Sequence, residues 1–137
     1  MLPAGKYYIG DLRYVMSAEW EEVCALATSG QSWLEGEFKL ADGRQFALYE
    51  TSWSDGLYST SSGDWVWVES GTVGCIRIED VRDTGHPGHL PMALERLGYE
   101  VEFGVPFATG KDPDGTIFFG SERVSPDGED LPPYGAD

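Results

Sequence analysis

Short runs of alternating or β-branched apolar residues, each closed by a turn rich in glycine and aspartate, recur through most of the chain, and that rhythm restricts it to a β-rich fold. Trp33 to Leu40 and Arg44 to Thr51 flank Ala41-Asp42-Gly43, where Asp-Gly supplies the positive φ angles of a tight hairpin turn. Leu57 to Thr60 and Trp65 to Glu69 flank Ser61-Ser62-Gly63-Asp64, and Ser70-Gly71 separates the latter run from Thr72 to Glu79. The spacing predicts an antiparallel meander. Further on, Tyr99, Val101 and Phe103 alternate with Glu100 and Glu102. Beyond Lys111-Asp112-Pro113-Asp114-Gly115, the run Thr116 to Phe119 is placed to pair back. At the start, Lys6 to Ile9 reads as a strand stopping at Gly10-Asp11, with Arg13 to Met16 continuing it after a bend.

Two helices interrupt this pattern. Behind Ser17 as N-cap, Trp20, Val23, Cys24 and Ala27 fall at helical spacing, while Glu19, Glu21 and Glu22 crowd the first turns where the helix dipole favours anions. Pro91 to Leu97 suits a short helix ended by Gly98. The predicted class is α+β, mostly antiparallel sheet in a meander, sandwich-like or half-barrel arrangement, with one helix in the N-terminal half and one short helix. Its 137 residues, 41% of them hydrophobic and 13% aromatic, suffice for one core without metal or disulfide support. Residues 1–124 are expected to form a single domain, and 125–137 a loosely ordered acidic tail rich in proline and glycine.

Charge narrows the function. The formal net charge is −15 and the isoelectric point about 4.2, a field that repels nucleic acid and anionic lipid and attracts basic surfaces. No apolar run approaches the roughly 20 residues of a membrane span, and Met1 to Asp11 lacks a secretory apolar core, so a cytoplasmic location is expected. Cys24 and Cys75 then read as buried free thiols.

Several groups of residues contain the parts of a reactive site. Cys24 or Cys75 with His86 or His89 contains the parts of a thiol catalyst or a zinc site, but nothing pairs them locally; Cys75 is the more reactive candidate if its strand face is exposed. Asp112-Pro-Asp114-Gly-Thr116 opens like a calcium loop, yet Ile117 stands where such a loop needs glycine and Arg123 where it needs a bidentate carboxylate. The glycines at 71 and 74, and at 104 and 110, lack the lysine and the strand-loop-helix setting of a phosphate loop. No cofactor or metal is predicted. An enzyme using paired carboxylates would draw on Asp11, Asp55, Asp64, Glu69, Asp80 and Asp83.

The segment Asp64-Trp65-Val66-Trp67-Val68-Glu69 carries apolar weight on both strand faces. We expect Trp65 and Trp67 to face the core; if Val66 and Val68 do so instead, the tryptophans form an exposed pair of the kind that anchors interfaces.

Taken in order, Tyr8-Ile9-Gly10-Asp11, Glu19-Trp20, Ser54-Asp55-Gly56-Leu57-Tyr58 and Ser70-Gly71-Thr72-Val73-Gly74 resemble a pattern in small uncharacterised proteins of bacteria and their phages. That pattern often has Gly-Asp-Gly-x-Tyr where this chain has Ser54 to Tyr58. The resemblance implies a bacterial or phage setting and supplies no catalytic residue. A compact chain of this length spans about 37 Å, over which duplex DNA carries about 22 charges. The net charge is of that order. The reading that follows is a non-enzymatic inhibitor, of the DNA-mimic or anti-CRISPR type, that occupies a basic nucleic-acid-binding surface without binding nucleic acid or membrane. Its contact residues would come from Glu19, Glu22, Glu35, Glu37, Asp55, Asp64, Trp65, Trp67 and Glu69. The alternatives are an immunity protein or antitoxin of a basic toxin, and the paired-carboxylate enzyme.

Overall fold

The computed structural model describes residues 1–82 and 89–129, apart from the His89 side chain. In chain order the elements are β1 (Gly5–Gly10), 3-10 turns at Leu12–Tyr14 and Ser17–Glu19, α1 (Trp20–Ala27), β2 (Thr28–Ser29), β3 (Ser32–Trp33), β4 (Gly36–Lys39), β5 (Gln45–Glu50), β6 (Gly56–Thr60), β7 (Trp65–Val68) and β8 (Thr72–Arg77). A 3-10 turn at Ile78–Asp80 follows, then α2 (His89–Arg96), β9 (Gly98–Phe103), β10 (Thr109–Lys111), β11 (Ile117–Phe119) and β12 (Glu122–Glu129). The fold is α+β and mostly antiparallel, as the turn spacing predicts.

Two five-stranded sheets stack face to face, one ordered β4-β5-β8-β1-β9 and the other β10-β11-β12-β6-β7. Between them lies one core, with Tyr7, Ile9, Ala47, Tyr49, Val73, Cys75 and Tyr99 from the first sheet against Tyr58, Val66, Val68, Ile117, Phe119 and Val124 from the second. The first sheet is covered on its other side too. There Tyr8, Phe46, Leu48 and Ile76 pack with Leu12, Val23, Ala27, Ala93 and Leu97 of the helical layer. Double coverage explains why β5 and β8 are apolar almost throughout, whereas a strand with one wet face alternates. Close approach across the first sheet needs small residues: Gly74, Gly10 and Gly98 stand side by side on β8, β1 and β9, and a Cβ on Gly74 would collide with the Ala47 carbonyl oxygen and with Leu12.

The structure corrects several local expectations. A simple meander is broken because β6 and β7 leave the first sheet for the second, so that β8 pairs with β5 and β1 rather than with β7. The run at 116–119 does not pair with β9; β11 lies between β10 and β12, while β9 takes the edge beside β1. Arg13 to Met16 is no strand, since Asp11 caps a 3-10 turn there by accepting from the Arg13 N–H. Ser17 is no N-cap either: it opens the next 3-10 turn, and α1 starts behind Glu19 with no side-chain cap. β12 continues through Ser125 to Glu129 and pairs with β6, within the segment read as a tail, and 130–137 lie outside the described residues. No helix among the described residues is long and apolar enough to cross a membrane.

Candidate functional site

β7 is the anomaly of the molecule. Its sequence, Trp-Val-Trp-Val, has the apolar content of a doubly covered strand, but one face is fully covered and the other only in part, at Trp67. Val66 and Val68 are fully buried, while Trp65 is 49% exposed and Trp67 half-buried on the outer side. The expectation that the tryptophans face the core is therefore overturned. The inter-sheet core that β7 joins already holds the rings of Tyr7, Tyr58, Tyr99, Phe103 and Phe119, and valine is the size that completes it. Trp67 lies at the sheet edge, where its N–H donates to the Leu97 carbonyl at 3.0 Å and its indole packs on the helical-layer core.

Register defines the surrounding surface. Leu57 lies opposite Trp67 with Glu129 on its other flank, and Ser59 lies opposite Trp65. One residue beyond the Gly56–Val68 pair, Asp55 and Glu69 occupy adjacent chains and are both exposed. The Glu69 Oε1 accepts from the Trp67 indole N–H at 3.3 Å. Asp64 stands at the turn end of the same strand, its Oδ2 accepting from Ser62 Oγ at 2.9 Å. Among the described residues, Asp55, Asp64 and Glu69 make no ion pair. Between Arg44 and Arg77 the sequence has no Lys or Arg at all. Arg123 is the cation on this sheet's outer side, and it lies 5.0 Å from the centroid of Phe118 while donating to the Gly120 carbonyl.

A buried carboxylate fixes this surface in place. Asp11 has no exposed area; its Oδ2 accepts from the N–H groups of Glu69 and Ser70, both at 2.8 Å, and its Oδ1 from Ser70 Oγ and the Arg13 N–H. Burial pushes its carboxyl above the ordinary range, and these four donors pull the other way. Nearby, Ser54 has a left-handed φ of 65°, which turns its carbonyl toward the hydroxyls of Thr51 and Tyr58. Thr51 Oγ1 also donates to Gly71. Three of the four motifs of the sequence resemblance thus meet at one crossing point between the sheets, where Asp11 accepts from Ser70, and Thr51 joins Gly71 to Ser54, the acceptor of the Tyr58 hydroxyl.

The remaining predicted contact residues lie elsewhere. Glu35 and Glu37 sit beside the β4 edge and bind β10, Glu35 through Lys111 Nζ and Glu37 through Thr109 Oγ1 at 2.8 Å. Glu22 accepts from the Ala41 N–H, and Glu19 faces Arg44 at 3.8 Å in the helical layer with its Oε2 unpartnered. Burial raises the Glu19 carboxyl, and Arg44 opposes it. The nine predicted residues therefore divide into one hairpin carrying Asp55, Asp64, Trp65, Trp67 and Glu69, with Asp64 at its turn, and two groups engaged within the fold.

The reactive constellations also resolve. Cys75 faces the inter-sheet core, and burial pushes its thiol well above the ordinary value, so the exposed-face premise for its reactivity fails. Cys24 is half-buried with its thiol raised as well. His86 and the His89 side chain lie outside the described residues. Asp112 and Asp114 shape the turn between β10 and β11, with Gly115 donating to the Asp112 carbonyl and Thr116 to Asp114 Oδ1. Of the six carboxylates considered for an enzyme, Asp11 is wholly engaged, Asp80 pairs with Arg77, and Asp83 lies outside the described residues. Sequence reasoning missed Asp11 as a clamp and Arg123 as a ring-stacked cation; Gly10-Asp11 at a strand end was the available signal for the first. No protein-family model matches this chain, and no curated protein or solved structure matches it.

Proposed function

We propose that the chain is a non-enzymatic binding protein whose outer β6–β7 face docks on a basic protein surface and keeps nucleic acid from it, in the manner of a phage or mobile-element inhibitor of a nucleic-acid-handling complex. One observation carries the reading: β7 has apolar residues on both faces yet leaves the Trp65 indole half-exposed on its outer side, beside carboxylates that make no ion pair among the described residues. Interfaces concentrate their energy in such aromatic anchors, and the surrounding charge steers the partner and excludes wrong ones. The protein acts in the cytoplasm, where its two free cysteines remain thiols. Pairing with a basic toxin would use the same face.

The test is a competition. Heparin-binding proteins from a bacterial lysate are passed over the immobilised chain and eluted with duplex DNA or with salt raised from about 0.1 M to about 0.5 M. A cationic protein should be retained and released by either eluent. The triple variant Asp55→Asn, Asp64→Asn, Glu69→Gln should retain far less of it. Retention that ignores both salt and the triple substitution overturns the proposal.

A further inference from the structure

The outer face of β7 has a feature that acidity alone does not require. Its carboxylates and its aromatic rings are interleaved rather than segregated: Glu69 accepts from the Trp67 indole N–H, so one carboxylate is fixed at the edge of a ring whose sheet neighbour is Trp65. Asp55 and Glu69 each lie one residue beyond the last strand pair, Gly56–Val68, and both are exposed.

Resting on the proposed docking face, we infer that the group it receives is an arginine side chain of the partner, in preference to lysine. Two arguments converge. Arginine carries a planar face that can lie on the exposed Trp65 indole and a fork of N–H donors that can reach Glu69 and Asp55, whereas lysine is a strongly hydrated point charge. Finally, the molecule already uses this arrangement on the same sheet, where Arg123 lies over the Phe118 ring while its guanidinium donates to a carbonyl. The occupant is thus a cationic segment whose anchor is arginine, a residue favoured in nucleic-acid recognition.

The experiment uses the full chain and two synthetic peptides of equal length and charge, one carrying four arginines and the other four lysines spaced by glycine and serine, followed by intrinsic tryptophan fluorescence at low salt. The arginine peptide should bind about tenfold more tightly. Trp65→Ala should reduce that ratio toward one by weakening the arginine peptide more than the lysine peptide. Glu69→Gln should weaken both peptides, the arginine one more. Equal affinities for the two peptides overturn the arginine assignment and leave the acidic docking face standing, as does an undiminished ratio in Trp65→Ala. Absence of binding by either peptide overturns both.

Discussion

Two acidic regions of this molecule are built from the same residue types and used in opposite ways. Beside β4, Glu35 and Glu37 alternate along an edge strand and are consumed by the fold: Lys111 and Thr109 of β10 reach across to them and close the seam between the two sheets. On the β6–β7 hairpin, Asp55 and Glu69 each lie one residue beyond the last strand pair and Asp64 stands at the turn, and none of the three meets a cation from the described chain. Strand position explains the contrast. β4 lies at a sheet edge where β10 supplies complementary groups, and charged edges also discourage pairing with other molecules. β7 turns its free side to solvent, where charge without a partner adds nothing to stability. Acidity in a sequence therefore has two meanings, and the topology decides between them.

The sharpest way to break this comparison is to remove what holds the second region in place. Asp11→Ala leaves two N–H groups and a hydroxyl of Glu69 and Ser70 without their acceptor, and should cost about 4 kcal/mol in a denaturant titration. A loss under about 1 kcal/mol would show that the 69–70 turn is held by something else. Next in size is the orientation of β7 itself. Val66→Ala should cost about 2 kcal/mol by cavity formation, and Trp65→Ala under about 1 kcal/mol, despite removing the larger side chain. A reversal of that order would return the indoles to the core.

Much of the architecture was legible because local chemistry dictated it: Asp42-Gly43 and Ser62-Gly63 make their hairpins, and Tyr99, Val101 and Phe103 take the inner face of β9. Sheet membership was not legible. The return of the chain from β7 to the first sheet is tied to Asp11, which accepts from Ser70 59 residues away, and no local window contains both. The orientation of β7 escaped for a related reason, since Trp-Val-Trp-Val satisfies either face and only the rings contributed by distant strands decide which fits. Of the contact residues, Asp55, Asp64, Trp65, Trp67 and Glu69 come together because they share one hairpin. Glu19, Glu22, Glu35 and Glu37 were indistinguishable from them by composition, and found partners only through tertiary neighbours.

A smaller effect separates the two acidic regions by sign. Glu35→Gln with Glu37→Gln should lower stability by about 1 kcal/mol or less, because Lys111 loses its partner at a partly screened site. Asp55→Asn with Glu69→Gln should leave stability unchanged or raise it by a few tenths of a kcal/mol, about the size of a like-charge contact relieved. Melting temperatures moving in the same direction for both pairs would erase the distinction drawn between the regions.

The smallest effect concerns Glu19, a carboxylate in neither region, whose Oε2 has no donor. Burial raises its carboxyl above the ordinary value while Arg44 lowers it less, so the folded state holds the proton more tightly than the unfolded chain. A carboxyl shifted in that direction contributes stability below its unfolded pKa and loses it as pH rises through the folded value. Glu19→Gln should therefore match the wild type in acid and become the more stable of the two as pH rises through and above the carboxylate range. Paired denaturant titrations from about pH 4 to about pH 8 would show it. The opposite trend, with wild type gaining over the variant as pH rises, would mean that Arg44 outweighs burial and that Glu19 belongs with Glu35 and Glu37 among the carboxylates the fold has put to use.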